Sequence, residues 1–206
     1  MKGRQDANAV DRVGVRLKLR KAQAEAGDIV LLFSDESAAL THPYLARAWA
    51  RRGADLRVSA PGQSKKVAMM GTLEWAGRKL VVTTSRTKRS TDFRAHLQSL
   101  DQRYGPKPGA PLRPVVIVLD NGPIHTSKAS RAALAERTHW LTVEWLPKYA
   151  PELNDIERVW LDLKANHLAH QTFNDPEDLD RAIHAAVKAL NAERNRDPLG
   201  NPRISA

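Results

Sequence analysis

The chain contains no cysteine and no run of about 18 apolar residues of the kind that crosses a membrane. The absence of cysteine excludes disulfide bonds and thiolate metal sites, and it favours an intracellular protein over a secreted one. The N-terminal stretch "MKGRQDANAVDRVGVRLKLRK" is basic but lacks the apolar core of a signal peptide. We therefore expect a cytoplasmic protein without a membrane segment.

Aromatic side chains are also scarce. The three Phe and three Tyr argue against the base-stacking platforms that single-strand binders use. Positive charge, in contrast, is abundant, since 33 Lys and Arg against 23 Asp and Glu give a formal net charge of +10. Clustered cations gain affinity for a phosphate backbone by displacing its counterions. The composition thus favours a nucleic acid as the partner.

The order of the predicted elements indicates an α/β fold with a mixed sheet, in a chain of 206 residues that suits one domain and a small appendage. Strands are predicted at 28–37, 66–75, 79–85, 115–120 and 140–146. Helices are predicted in the second half of 11–26, at 90–105, at 126–139, from about 155 to 170, and at 175–195. We divide the chain into an N-terminal helical extension at 1–27, a main domain at 28–195 and a disordered tail at 196–206.

Two apolar runs, "IVLLFSD" and "VVIVLD", each end in an aspartate, Asp35 and Asp120. If the two strands are parallel neighbours, both carboxylates lie at the edge where α/β sheets hold their chemistry. Carboxylates that close repel each other unless a cation lies between them. The alternative is that the two aspartates are unrelated and cap ordinary turns.

The periodicity of "PELNDIERVWLDLKANHL" indicates a third carboxylate. At about 100° per residue, the angle of Glu157 falls inside an apolar arc, between Leu153 and Leu168, whereas Asp155 points to solvent. A carboxylate on a buried face is costly unless it is paired or ligates a metal. We therefore predict Glu157, and not Asp155, as the partner of the two aspartates.

A site of three carboxylates without His or Cys suits Mg²⁺ or Mn²⁺. Two such ions roughly 3.5–4 Å apart can clamp the attacking and leaving oxygens of a phosphodiester. Together with the basic surface, this donor set indicates divalent-metal-dependent phosphoryl transfer on nucleic acid, with two ions when DNA is bound.

The segments "LDNGPIH" and "WLPKYAPELNDIERVWLDLK", preceded by "FSDES" and "WARRG", resemble the catalytic domain of DDE transposases of the bacterial insertion-sequence and mariner-like superfamily. The resemblance runs from about Asp28 to Leu168. It implies an RNase H-like mixed sheet flanked by helices and cut-and-paste transposition. It also implies a catalytic, metal-binding triad, formed by Asp35, Asp120 and Glu157. The chain departs from the family pattern at Asp155, where proline is usual, and at Lys148 and Ala150.

Weaker expectations concern the neighbours of the triad. Asn121 and His125 match the family's Asn and His beside the second aspartate; they either support the triad or are an ordinary turn Asn and helix-start His. Glu36 is expected on the opposite face of its strand from Asp35, in a structural role or paired with basic residues. Lys164 either extends to solvent or reaches a DNA phosphate.

The cations expected to contact the DNA backbone lie mostly in loops and exposed segments. They are Arg51, Arg52, Lys65, Lys66, Lys88, Arg89, Lys148 and Lys164, with Arg47 and Arg86 in the same segments.

The resemblance further implies double-stranded DNA as partner, both transposon ends and target, and a possible homodimer in the bacterial cytoplasm at the nucleoid. About 27 residues precede the first predicted strand, too few for the helix-turn-helix unit that reads terminal repeats. We therefore expect an isolated catalytic fragment, a downstream reading frame or a decayed copy.

The leading interpretation is a DNA endonuclease and strand transferase. The alternative is a catalytically inactive or decayed basic DNA-binding protein on a retained nuclease fold. A third is an RNase H-like nuclease that cuts structured DNA. The complete acidic triad favours the first, and the missing recognition unit favours the second.

The excess of positive charge predicts DNA binding that is mainly electrostatic and poorly selective for sequence. Fluorescence anisotropy with unrelated duplexes should give similar affinities, and the logarithm of the affinity should fall by about 0.9 per phosphate contacted for each decade of salt. Tight binding to one sequence that is insensitive to salt would contradict this expectation.

Overall fold

The computed structural model describes residues 5–45, 49–55, 57–60, 62–109 and 113–196. The strands are β1 (Val30–Leu40), β2 (Lys66–Glu74), β3 (Lys79–Ser85), β4 (Val115–Leu119) and β5 (Leu141–Trp145). The helices are α1 (Ala7–Glu25), α2 (Ser90–Tyr104), α3 (Pro123–Thr126), α4 (Lys128–Ala135), α5 (Ile156–Asp162) and α6 (Pro176–Arg196). A 3₁₀ turn (Pro151–Leu153) precedes α5, and a π-helical turn (Leu163–His167) follows it.

The five strands form one mixed sheet, as predicted, and their order is β3-β2-β1-β4-β5. β1 pairs antiparallel with β2, and β2 with β3, whereas β4 lies parallel to both β1 and β5. In the β1–β4 pair, Val30 is opposite Val115 and Phe33 is opposite Val118. The same register, carried two residues further, brings Asp35 beside Asp120.

Both faces of the sheet are covered, which explains why β4 is apolar throughout and buried along its whole length. Phe33, Val116 and Val118 belong to the core under α1, α5 and α6. Leu32 and Ile117 belong to a second core under α2 and α4. Successive strand residues thus enter opposite cores, as the twofold periodicity of a strand requires.

Four predicted elements differ from those observed. The N-terminal helix begins at Ala7 and not in the second half of 11–26, and the helix predicted at 126–139 is split between α3 and α4 and ends at Ala135. β1 was expected at 28–37 with its apolar run ending at Asp35, but it continues to Leu40 because its edge beyond Asp35 pairs with β2. The helix predicted from about 155 to 170 is broken into α5 and the π-helical turn.

Some expectations remain untested. The division at residues 27 and 195 stays a prediction, although α1 packs Val13, Leu17 and Ala24 into the main core. Residues 197–206 of the expected tail and Arg47 lie outside the described residues. Within the described part of the chain, no helix combines the length and apolar character needed to cross a membrane.

Gly71 in β2 allows the indole of Trp160 to lie directly on the sheet. A Cβ at this position would come within 2.3 Å of Cη2 and 2.4 Å of Cζ2 of that ring. Because Asp35 is opposite Gly71 in the β1–β2 pair, the same indole lies next to Asp35.

Gly71→Ala should therefore destabilise the fold by about 1–3 kcal/mol, because the added methyl overpacks the contact with Trp160. Gly14→Ala in α1 is the matched control, since its Cβ would meet nothing closer than Leu153 Cδ2 at 3.9 Å. That variant should gain about 0.4–1 kcal/mol. Urea unfolding of both variants checks the prediction, and equal stability of the two would contradict it.

Candidate active site

A cleft of about 410 Å³ lies at the carboxyl end of β4, and it is lined by Asp35, Asp120 and Glu157. Asp35 lies within β1, Asp120 directly follows β4, and Glu157 is in the first turn of α5. The structure thus brings together the three carboxylates that the sequence singled out. A larger depression of about 670 Å³ lies along β5 and α4, but no carboxylate is among its described lining residues. We therefore assign the chemistry to the smaller cleft.

The arrangement of the three carboxylates changes the pKa of Asp35 in particular. Its pKa is raised from 3.8 to about 7, first by burial and then by the negative charges of Glu157 and Glu36, with a smaller contribution from Asp120. Its Oδ2 accepts a hydrogen bond of 3.2 Å from Trp160 Nε1, which orients the carboxylate. Asp35 thus lies in excess negative charge, which a bound cation would relieve.

Asp120 lies in the opposite environment. Its Oδ1 accepts hydrogen bonds from His125 Nδ1 at 2.6 Å and from the backbone N–H of Gly122 at 2.9 Å. The hydrogen bond from His125 is the main reason that the pKa of Asp120 is lowered. Asp120 therefore stays ionised and available as an oxygen ligand across the neutral pH range.

His125 links Asp120 to Glu36. Its side chain is fully buried and packs edge-on against Phe93, with ring centroids 4.6 Å apart. Burial alone would lower the pKa of His125, but the hydrogen bond to Asp120 and the charges of Glu36, Asp120 and Asp35 together raise it. His125 Nε2 lies 3.5 Å from Glu36 Oε2, and the two buried atoms have no hydrogen-bond partner among the described residues. The two atoms therefore lie close together without a hydrogen bond, and the negative charge of Glu36 contributes to the raised pKa of His125.

Glu36 was expected on the opposite face of β1 from Asp35, in a structural role or paired with basic residues. It does lie on that face, and its partner is His125. The sequence did not indicate that this contact connects Glu36 to Asp120. Ligand atoms of Glu36, Asp120 and His125 all lie within 4.8 Å of one another. In the sequence, the signal for Glu36 was that it directly follows Asp35. The contact of Glu36 with His125, which lies in α3, forms only in the folded protein.

The prediction for Asp155 was wrong, and Glu157 reaches the cleft for a different reason than the phasing gave. Asp155 is buried, whereas Glu157 is exposed to the cleft, and Leu161, expected in the apolar arc, is 68% exposed. The phasing assumed one continuous α-helix. The chain instead enters through a 3₁₀ turn, begins α5 only at Ile156 and widens to a π-helical turn at Leu163, so each step shifts the angle.

The polar neighbours have defined partners. Asn121 Nδ2 donates to the carbonyl of Leu146 and so holds the loop after β5 against the end of β4. Lys164 Nζ donates to Ser37 Oγ at 2.8 Å, and the pKa of Lys164 is lowered by burial and by the nearby charge of Lys88. Lys164 therefore lies beside the carboxylate cluster instead of extending into solvent.

The other predicted DNA contacts are exposed, and only Lys148 among them lines the cleft. They are Arg51, Arg52, Lys65, Lys66, Lys88, Arg89 and Lys148.

The donor set fits a divalent cation bound through oxygen. Three carboxylates line one cleft, Asp120 is kept ionised, and burial together with the neighbouring carboxylates raises the pKa of Asp35, so a bound cation would favour its charged form. Carboxylate oxygens are the ligands that Mg²⁺ and Mn²⁺ prefer.

Comparisons with known proteins agree with this geometry. A family model described as DDE superfamily endonuclease matches residues 30–180. The insertion element IS630 uncharacterized 39 kDa protein of Shigella sonnei is 27% identical over 130 residues, which make up 63% of this chain and 36% of that protein. The chain thus spans about a third of the length of this curated relative.

Solved structures show the same fold. The Mos1 mariner paired-end complex with Mn has a TM-score of 0.60 at 15% identity, and the match covers 98% of this chain and 64% of that chain. The catalytic core domain of BIV integrase has a TM-score of 0.51 at 19% identity, covering 80% and 84%. Both are RNase H-like cores, so the predicted fold class is confirmed.

The raised pKa of Asp35 predicts how the stability of the metal-free protein changes with pH. The folded state holds the Asp35 proton up to about pH 7, whereas the unfolded state releases it near 3.8. The contribution of Asp35 to stability should therefore fall as the pH rises between these values and stay low above them. Asp35→Asn should be more stable than the wild type at about pH 8, and this advantage should shrink towards about pH 5. Thermal unfolding in a chelator measures the difference; a constant offset at all pH values would contradict the assignment.

Proposed function

Because the chain belongs to the DDE superfamily of endonucleases, whose family model matches residues 30–180, we propose that it is the catalytic domain of a DNA transposase. The proposed reactions are metal-dependent hydrolysis of a phosphodiester at a transposon end and transfer of the cut strand to target DNA. The observation that carries the proposal is the convergence of Asp35, Asp120 and Glu157, from three different elements, on one cleft.

We propose that these three residues are the catalytic triad and bind Mg²⁺ or Mn²⁺, two ions when DNA is bound. DDE transposases depend on divalent metals, and the Mos1 complex is described with Mn. Such an ion supplies Lewis acidity towards the scissile phosphodiester and stabilises its developing charge. The protein contributes the orientation of the ligands: Trp160 holds Asp35, and His125 and the Gly122 N–H hold Asp120 in its ionised form.

The two proposed reactions share one site. In hydrolysis, the oxygen of water forms a bond to phosphorus, the bond from phosphorus to the 3′ oxygen breaks, and that oxygen leaves as a 3′-hydroxyl. In strand transfer, the 3′-hydroxyl replaces the water, and its oxygen forms a bond to a phosphorus of the target strand. The bond from that phosphorus to the target's own 3′ oxygen breaks. That oxygen leaves as a new 3′-hydroxyl, with one proton lost by the attacking hydroxyl and one gained by the leaving oxygen. Both displacements need ligands fixed before the DNA arrives, which the contacts of Asp35 and Asp120 supply.

DNA is the proposed partner, and its backbone would lie across the cleft. Lys148 lines the cleft, Lys164 lies beside the carboxylates, and Lys88 lies near Lys164. The other exposed cations (Arg51, Arg52, Lys65, Lys66 and Arg89) would extend the contact.

Mos1 neighbours are described as complexes with transposon ends and as a strand transfer complex. Since the chain spans 64% of the Mn-containing Mos1 chain, recognition of transposon ends, pairing of two copies and action at the bacterial nucleoid are proposals about the whole protein.

Nicking of supercoiled plasmid in Mg²⁺ or Mn²⁺ tests the proposal. Wild-type protein should nick, whereas Asp120→Asn and Glu157→Gln should reduce nicking to background, because each removes a charge from the cation site. Glu177→Gln is the matched control: Glu177 is exposed and is the second residue of α6, as Glu157 is the second residue of α5. That variant should nick like the wild type.

A thermal-shift assay separates catalysis from cation binding. Mn²⁺ at millimolar concentrations should raise the Tm of the wild type and of Glu177→Gln, because the ion binds the folded state preferentially. The increase in Tm should be smaller for Glu157→Gln. A Tm response without nicking would favour the inactive DNA-binding protein. If the protein binds DNA but shows neither nicking nor a Tm response to Mn²⁺, the enzyme proposal is overturned.

A further inference from the structure

The end of α1 meets the beginning of α5 in a half-buried ion pair. Lys21 Nζ lies 2.8 Å from Asp155 Oδ2, and the Asp155 side chain is only 8% exposed. Asp155 immediately precedes α5, and Glu157 follows two residues later. The pair therefore joins the helix that sequence reasoning set apart as an N-terminal extension to the turn that carries Glu157.

Lys21 is itself held in place by the main sheet. Its ammonium lies 5.6 Å from the ring centroid of Phe33 and 5.5 Å from that of Trp75. Phe33 is in β1, two residues before Asp35, so it belongs to the strand that carries the first aspartate. A cation between two rings and a carboxylate has little freedom to move, because each contact favours the same position.

Asp155 does not serve as an ordinary helix cap. It occupies the N-cap position of α5, but its side chain accepts no capping hydrogen bond there. The Glu157 N–H donates instead to the carbonyl of Asn154 at 3.1 Å. The carboxylate of Asp155 is thus turned away from the helix and towards α1.

The rest of α1 is docked along the segment that leads to Glu157. Arg16 Nε lies 2.6 Å from Glu144 Oε2, and Arg20 contacts the other oxygen of the same carboxylate in β5. Just before α1, Gln5 Nε2 donates to the carbonyl of Tyr149 at 2.9 Å. Among these contacts of the described residues, the Lys21 pair is the one made to Asp155, the residue that directly precedes α5.

We propose that Lys21, acting through Asp155, is a positioning residue that fixes the first turn of α5 and thereby directs Glu157 into the cleft. This proposal rests on the proposed function only in taking Glu157 as a ligand of the metal ion. The fixing of the turn is a property of the metal-free protein and is tested there first.

Hydrogen exchange of the metal-free full chain, followed by mass spectrometry, measures the fixing. Asp155→Asn and Lys21→Met should each speed exchange of amides 156–159 by roughly 5–30-fold, the change expected when a local state loses modest stabilisation. The double variant should show no more than either single change, because both remove the same pair. Lys21→Met keeps an unbranched side chain between the rings of Phe33 and Trp75. If Asp155→Asn fails to fold, Lys21→Met carries the test in its place.

Arg16→Met is the matched control. It removes an α1 cation whose carboxylate partner belongs to β5 and keeps Arg20. It should leave exchange of amides 156–159 unchanged. Equal acceleration in Arg16→Met and Lys21→Met would overturn the proposal, because docking of α1 in general would then explain both. So would unchanged exchange of these amides in Asp155→Asn and Lys21→Met.

A rescue variant distinguishes fixing of the turn from balancing of charge. Asp155 has φ −60° and ψ −20°, and Asn154 has φ −100° and ψ 96°, which suit a proline at 155 and the extended residue before it. Lys21→Met/Asp155→Pro lacks both charges but restricts the start of the helix. It should restore slow exchange relative to Lys21→Met alone, and failure to do so would overturn the proposal.

A Mn²⁺ titration of the Tm then tests the consequence for Glu157. Lys21→Met should raise the half-saturating Mn²⁺ concentration by roughly 10-fold, within the range typical of groups that orient a metal ligand, and the rescue variant should reverse the shift. If Lys21→Met speeds amide exchange but leaves the half-saturating Mn²⁺ concentration unchanged, the proposed effect of Lys21 on Glu157 is overturned. A wild type without any Mn²⁺ response would refute the proposed function, whereas the exchange data would still decide whether Lys21 fixes the turn.

Discussion

The parallel pairing of β1 with β4 is the constraint on which the cleft depends. It sets Phe33 opposite Val118, and the chain then needs only two more residues to bring Asp35 beside Asp120. β4 ends at Leu119 while β1 continues, paired on its other edge with β2. The space beyond the end of β4 is therefore walled by β1, and residues 146–151 after β5 also line it. Helices on both faces of the sheet keep this register, because a slip of one residue would exchange the two cores.

The two aspartates in the cleft lie in different electrostatic environments. Burial and neighbouring carboxylates raise the pKa of Asp35 to about 7, whereas the hydrogen bond from His125 lowers the pKa of Asp120. The pKa of His125 is in turn raised by Asp120 and by Glu36, which lies on the opposite face of β1 from Asp35. The protein thus stabilises one carboxylate by its own contacts and leaves the other to an external cation, which is the arrangement that the proposed metal site requires.

α1 belongs physically to the site-bearing part of the structure. Its apolar residues lie in the core beneath β1 and β4, and its cations reach buried carboxylates on β5 and at the start of α5. The cation between Phe33 and Trp75 connects the sheet, α1 and the turn that carries Glu157. Placement of the third carboxylate is therefore a property of three packed elements and not of α5 alone.

The amino-acid sequence was enough to predict the mixed sheet, the apolar β4, the two strand aspartates and the choice of Glu157, since apolar runs and turn residues are local signals and the motif resemblance covers the remainder. Three other features are visible in the folded protein alone: Asp155 is buried against Lys21, Glu36 contacts His125, and Glu157 faces the cleft from a short helix. Residue periodicity reports the face that a side chain occupies while one regular helix continues. It carries no information about a break into 3₁₀ and π turns, or about an ion pair between elements far apart in the chain, because packing between those elements sets both.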